Sequence, residues 1–78
     1  MRRQAEARVL EIVGRIAERD PKQIAREALL VADLNIDSPN ALLLLVELED
    51  AFGITMSDSA AARMRTVGDI LDYLDGRI

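Results

Sequence analysis

Cysteine, histidine and tryptophan are absent from this 78-residue chain, and phenylalanine and tyrosine occur once each, as Phe52 and Tyr73. Without cysteine there is no disulfide framework and no thiolate metal site. Without histidine the chain lacks the commonest metal ligand and the usual general base near neutral pH, which speaks against autonomous catalysis. The scarcity of aromatics bears on fold as well. Strand-rich domains draw on β-branched and aromatic residues, whereas here half of the residues are apolar and most of those are Ala, Leu, Ile and Val, a composition suited to close-packed helices. Long apolar runs are also missing. The stretch Ala41 to Val46 is far too short to span a bilayer, and Met1-Arg2-Arg3-Gln4-Ala5-Glu6 leads into an amphipathic pattern with no apolar signal-peptide core. A cytoplasmic protein without membrane insertion is expected. Fourteen acidic against ten basic residues leave a formal charge of −4, which disfavours nucleic acid and anionic lipid and favours a partner with a basic patch.

A chain of this size forms one domain, 1–78, and buries about 60% of the surface its unfolded form exposes, so its core must be economical. Val9, Val13, Ile16 and Ala17 recur at helical spacing, with Leu10 and Ile12 beside them and Arg8, Glu11, Arg15 and Glu18 in the other positions. This first helix should end near Asp20-Pro21, because proline cannot continue it. Residues 21–36 carry Ile24, Leu29, Leu30, Val31, Leu34 and Ile36 without a clean period. They read as a long connection, with a helical turn at Ile24 to Ala28, pinned to the core by those side chains. Asn35 suits a left-handed turn position. A second helix starts at Ser38 and stops at Gly53. Ser57 or Asp58 caps a brief third helix through Ala60, Ala61, Ala62 and Met64. Thr66 opens a fourth, with Asp69 three residues on completing a capping box and Val67, Ile70, Leu71 and Leu74 as its buried face; Gly76 ends it. The fold class predicted is all-α: a four-helix bundle with a long first loop and a short third helix.

The second helix carries the most information. Ser38 follows Asp33-Leu34-Asn35-Ile36-Asp37 and precedes the apolar stretch, with Pro39 falling at the first helical position if Ser38 is the N-cap. A serine there is a cap, a modification site, or both. The first N–H groups of a helix carry partial positive charge, so a phosphodiester on a serine at this point is electrostatically favoured. Asp37 is either a turn former or a group that steadies a divalent cation during such a modification. Asp33 and Asp37 alone do not make a metal site. At about 100° per residue, Ala41, Leu45, Leu48 and Phe52 form the core stripe with Leu44 at its edge, while Pro39, Leu43, Val46, Glu47 and Asp50 fall on the opposite side. That apolar patch rimmed by carboxylates is either covered by the long connection or left as a docking surface for another protein. Arg63 and Arg65 read as a solvated face.

Taken in order, Leu30-Val31-Ala32-Asp33-Leu34-Asn35-Ile36-Asp37-Ser38, Leu44 with Leu48-Glu49-Asp50-Ala51-Phe52-Gly53-Ile54, and Thr66-Val67-Gly68-Asp69-Ile70-Leu71-Asp72-Tyr73-Leu74 resemble the acyl carrier protein family. The resemblance implies that Ser38 carries 4′-phosphopantetheine, transferred from coenzyme A by a phosphopantetheinyl transferase using Mg²⁺, with Asp37 assisting attachment. It implies a carrier and not an enzyme: an acyl or aminoacyl group is held as a thioester and presented to acyl-loading and acyl-transferring enzymes in fatty-acid, polyketide, peptide or lipid biosynthesis. These partners would dock on the second helix through Pro39, Leu43, Val46, Glu47 and Asp50, and a monomer is expected. Two positions depart from the family. Pro39 replaces the leucine usual after the serine, and Leu43 replaces a residue that is commonly Glu in carriers of primary fatty-acid synthesis. The second departure points to a specialised member over a housekeeping one. A competing reading keeps the bundle and drops the arm, leaving an unmodified interaction subunit, with Pro39 as the feature that favours it.

Overall fold

The computed structural model describes residues 2–77. Four α-helices follow one another as α1 (Arg3–Ala17), α2 (Ser38–Phe52), α3 (Asp58–Ala62) and α4 (Val67–Asp75), with a 3₁₀ turn at Pro21–Gln23 after α1. The all-helical bundle read from the periodicity is the fold observed. The apolar row of α1 buries Val9, Ile12 and Val13. The helix ends at Ala17, before the proline is reached, because Glu18 adopts a left-handed conformation (φ 58°) and its N–H and that of Arg19 both turn back to the Gly14 carbonyl. Gly14 permits this turn: a Cβ there would lie 2.7 Å from the Arg19 carbonyl oxygen.

The expected helical turn at Ile24 to Ala28 is absent. The helical turn comes earlier, at Pro21–Gln23, where Pro21 supplies a pre-set φ and the Asp20 side chain accepts from the Lys22 N–H. Ala25 to Ala28 form only a single turn closed by the Ala28 N–H on the Ala25 carbonyl. Beyond it the connection winds tightly. The Asp33 carboxylate accepts from the Leu29 N–H at 2.8 Å, Asp33 and Leu34 donate to the Leu29 carbonyl, and Ile36 donates to that of Leu30. Asn35 takes the left-handed conformation expected of it (φ 55°). Ile24, Leu30, Leu34 and Ile36 are buried, so the connection is part of the core and not a tether over it.

A second set of backbone bonds fixes the connection to the link between α3 and α4. Leu30 donates to the Arg65 carbonyl, Val67 to that of Ala28 and Gly68 to that of Arg26, forming an isolated antiparallel bridge at Leu29 and Thr66. The link is held from its other side by the capping box of α4. Thr66 Oγ1 accepts from the Asp69 N–H, and Asp69 Oδ2 accepts from both Arg65 and Thr66 N–H groups. The donation from Arg65, then that from Thr66, holds the Asp69 carboxyl below its ordinary value. Asp therefore serves where the longer Glu is usual, because its oxygen reaches two N–H groups at once.

In α2 the buried residues are Leu44 and Leu48, with Leu45, Ala51 and Phe52 half-buried against the core. Ala41, expected in the core stripe, is exposed. The helix is rotated about its axis relative to the expected phase, and Leu44 lies at the centre of the packed face. Ser57, not Asp58, caps α3, accepting from the Ala60 N–H at 3.1 Å. α3 stops at Ala62, so Met64 lies beyond it. Among the described residues no polar or charged side chain is buried. The radius of gyration, 11.1 Å, is close to the value of about 11.5 Å expected for a packed domain of this length, which leaves no room for a loose 20-residue connection.

Candidate functional site

The site is built at the start of α2. Ile36, only 1% exposed, anchors the approach, and Asn35 turns the chain so that the next residues emerge at the surface. The N-cap is Asp37, not Ser38: the Asp37 Oδ1 accepts from the Asn40 N–H at 3.3 Å, and the Asp37 carbonyl accepts the first helical bond from Ala41. Ser38 is consequently the first helical residue, with Pro39 second, still within the first turn where a missing N–H costs no bond. An aspartate cap does the same work as a serine cap and adds a charge that complements the helix dipole. The consequence is chemical: Ser38 is exposed and its hydroxyl is not engaged in closing the helix. The Ser38 backbone N–H is left as the free donor of this turn, since Pro39 has none and Asn40 is bonded to Asp37.

Asp33 is engaged elsewhere, bonding its own loop. Among the described residues no cluster of three or more acidic side chains is placed to hold a metal ion.

The structure separates the residues assigned to docking. Pro39, Leu43, Val46 and Asp50 are exposed on one side of α2. Glu47 is at the edge of that side, half-buried, and forms an ion pair with Arg15 of α1. Glu49 is not available either: its Oε2 accepts from the Met56 N–H at 2.8 Å and ties down the link after α2. Leu42, 62% exposed, belongs to the same side and was not expected there. Its position one turn beyond Ser38 was the available signal. Arg63 and Arg65 are exposed, as expected, although the Arg65 backbone is bonded on both sides.

On the other flank of Ser38 a cleft of about 240 Å³ opens between α2 and α3, lined by Ala41, Leu42, Leu45, Met56, Met64 and Ile70 among others. Ala41 and Leu42 stand three and four residues after Ser38, hence on the same helical side as the serine. The cleft could not be read from sequence, because its walls come from five separate segments.

An exposed serine, freed by its neighbour's cap, thus lies beside an apolar cleft in a small helical bundle. The family model for the phosphopantetheine attachment site matches residues 7–74. An acyl carrier protein of Thermosynechococcus vestitus is 36% identical over 59 residues, covering 76% of this chain and 73% of that protein. The meromycolate extension acyl carrier protein of Mycobacterium leprae is 35% identical over 68 residues, 87% of this chain, which spans 59% of that longer relative. Among solved structures, an acyl carrier protein from Mycobacterium tuberculosis superposes with a TM-score of 0.88 at 32% identity, covering 95% of this chain and 99% of that one. One from Enterococcus faecalis gives 0.82 at 29% identity, with 96% and 95% covered. The chain belongs to the acyl carrier protein family, whose prosthetic group is phosphopantetheine.

Proposed function

We propose that Ser38 is the residue to which phosphopantetheine is attached, that Asp37 assists the attachment, and that the loaded arm is served by acyl-loading and acyl-transferring enzymes docking on α2. The observation that carries this reading is the division of labour between Asp37, which caps, and Ser38, which does not. Exposure of Ser38 and the unpaired N–H beside it suit a covalently attached phosphodiester. When bound, the arm supplies a terminal thiol, a group this cysteine-free chain lacks. The chain itself positions the attachment point, presents the exposed side of α2, and offers the cleft lined by Leu45, Met56, Met64 and Ile70 as shelter for an apolar tail. It performs no catalysis of its own. Among the described residues no helix is long and apolar enough to cross a membrane. The family resemblance supports a monomer working in the cytoplasm. Leu43 at a position that commonly bears Glu in fatty-acid-synthase carriers supports a specialised pathway.

The test uses the purified chain, coenzyme A and a phosphopantetheinyl transferase. Intact-mass measurement is expected to show a single addition, and a thiol titration to rise from zero to one per chain. Ser38→Ala is expected to abolish both; an addition that persists in Ser38→Ala would place the arm elsewhere.

A further inference from the structure

Every residue lining the cleft beside Ser38 is Leu, Ile, Met or Ala, so no side chain in it offers a hydrogen-bond donor or a strong acceptor. Its backbone donors are spent as well. The three lining residues outside the helices are each bonded through their N–H groups, Leu30 to the Arg65 carbonyl, Met56 to the Glu49 carboxylate and Met64 to the Ala61 carbonyl. Within the first turns of the helices, Ala41 donates to the Asp37 carbonyl, Ala61 to that of Ser57 and Ile70 to that of Thr66. The remaining lining residues lie inside α2, whose N–H groups are used within the helix. A carbonyl oxygen carried into this space leaves water and finds no donor, and an ammonium finds no carboxylate among the lining residues. A methylene gives up nothing there.

The cleft also has an end. Ala41 and Leu42 are exposed and mark its mouth on the side of Ser38, whereas Leu48 and Ile70, each 1% exposed, close its floor. The floor joins α2 to α4, and α4 is fixed at its start by the Thr66 and Asp69 capping box, so a shift of α3 widens the cleft without deepening it. At roughly 30 Å³ for each carbon-sized group, the 240 Å³ of the cleft holds about eight.

We propose that the cargo sheltered by this chain is an unbranched, saturated aliphatic acyl group of up to about eight carbons, and that Ile70 is the residue that sets this length. Of the cargo classes open to the family, aminoacyl groups and chains bearing oxygen along their length are refused by the cleft. This choice of cargo rests on the assignment of the arm to Ser38.

The experiment loads the unmodified chain from a series of acyl-coenzyme A compounds with a phosphopantetheinyl transferase, confirms each product by intact mass, and measures its thermal midpoint against the chain carrying the bare arm. From butanoyl through hexanoyl to octanoyl the midpoint is expected to rise by about 2 °C for each added methylene, with no further gain for decanoyl and dodecanoyl. Loading with 5-oxo-octanoyl or leucyl is expected to leave the midpoint within about 2 °C of the bare-arm form. Ile70→Ala, which replaces the floor side chain by a methyl, is expected to move the plateau out to decanoyl or dodecanoyl. Should circular dichroism show that Ile70→Ala does not fold, Ile70→Val is expected to lengthen the plateau by about one carbon, read with nonanoyl. A midpoint that is flat across the series, or that climbs steadily to dodecanoyl in the wild type, overturns the eight-carbon limit. Stabilisation by 5-oxo-octanoyl or leucyl equal to that by octanoyl overturns the choice of class. A plateau unmoved in the folded Ile70 variant overturns the role given to Ile70. If no compound adds mass to the chain, the Ser38 assignment itself fails, an outcome distinct from these.

Discussion

Asp37 and Ser38 both satisfy the rules for an N-cap, and the sequence pattern alone selects the serine, because proline next to it suits the first helical position. The structure moves the boundary by one residue and reverses their roles. A stability measurement separates the two assignments. Asp37→Ala is expected to cost about 1 kcal/mol, the usual loss for an N-cap, whereas Ser38→Ala should fall within about 0.5 kcal/mol of wild type. Urea denaturation of the unmodified proteins reads both values; a larger loss for Ser38→Ala would return the cap to the serine. Other single residues were legible because their chemistry is local. Asn35 occupies the left-handed turn, and Thr66 and Asp69 exchange their two hydrogen bonds, as their types and spacing require. Glu49 was not legible, since the N–H that engages it belongs to a residue seven positions away in a different element.

At the scale of elements, the ends of α1 and the phase of α2 show where pattern reading stops. Gly14 lies inside α1, where alanine would favour the helix by about 1 kcal/mol on intrinsic propensity. The fold reverses that preference. The added methyl would lie 2.7 Å from the Arg19 carbonyl oxygen and 3.2 Å from Pro21 Cγ, and the first of these is backbone that cannot swing aside. Gly14→Ala is expected to destabilise the protein by about 1–3 kcal/mol, seen as a lowered urea midpoint with an unchanged slope. A stabilised variant would show that the turn after α1 is free to shift. For α2 the pattern shows a helix, and its limits to within one residue, but not its rotation. With leucine or valine on nearly every side, no apolar period distinguishes the packed face from the open one, so the pattern points Ala41 to the core and leaves Leu42 without a side. Which leucines are covered is set by the elements packed against α2, α1 among them.

For the whole molecule, the order of four helices and the length of the first connection followed from periodicity and punctuation. What joins them did not. The bonds from Ala28 and Leu30 to the α3–α4 link connect segments more than 30 residues apart, and no local signal announces such a pairing. Because these bonds couple the long connection to α4, they should open only when the bundle does. Native-state hydrogen exchange is expected to find the Leu30 and Val67 amides protected to nearly the same degree as the buried turns of α4, in contrast to a loop, whose amides exchange early. Early exchange at both would mean that the connection detaches on its own. The same coupling makes the walls of the cleft unequal. One wall is α2, fifteen residues long and packed through Leu44 and Leu48, and the other is α3, five residues held by the Ser57 cap and the single buried Ala60. A five-residue helix is far below the length at which helix formation sustains itself. The cleft therefore has a stiff side and a compliant side. If an apolar tail fills the cleft, α3 is expected to shift while the helix bearing Ser38 keeps its position, with faster amide exchange in α3 than in α2 as the check.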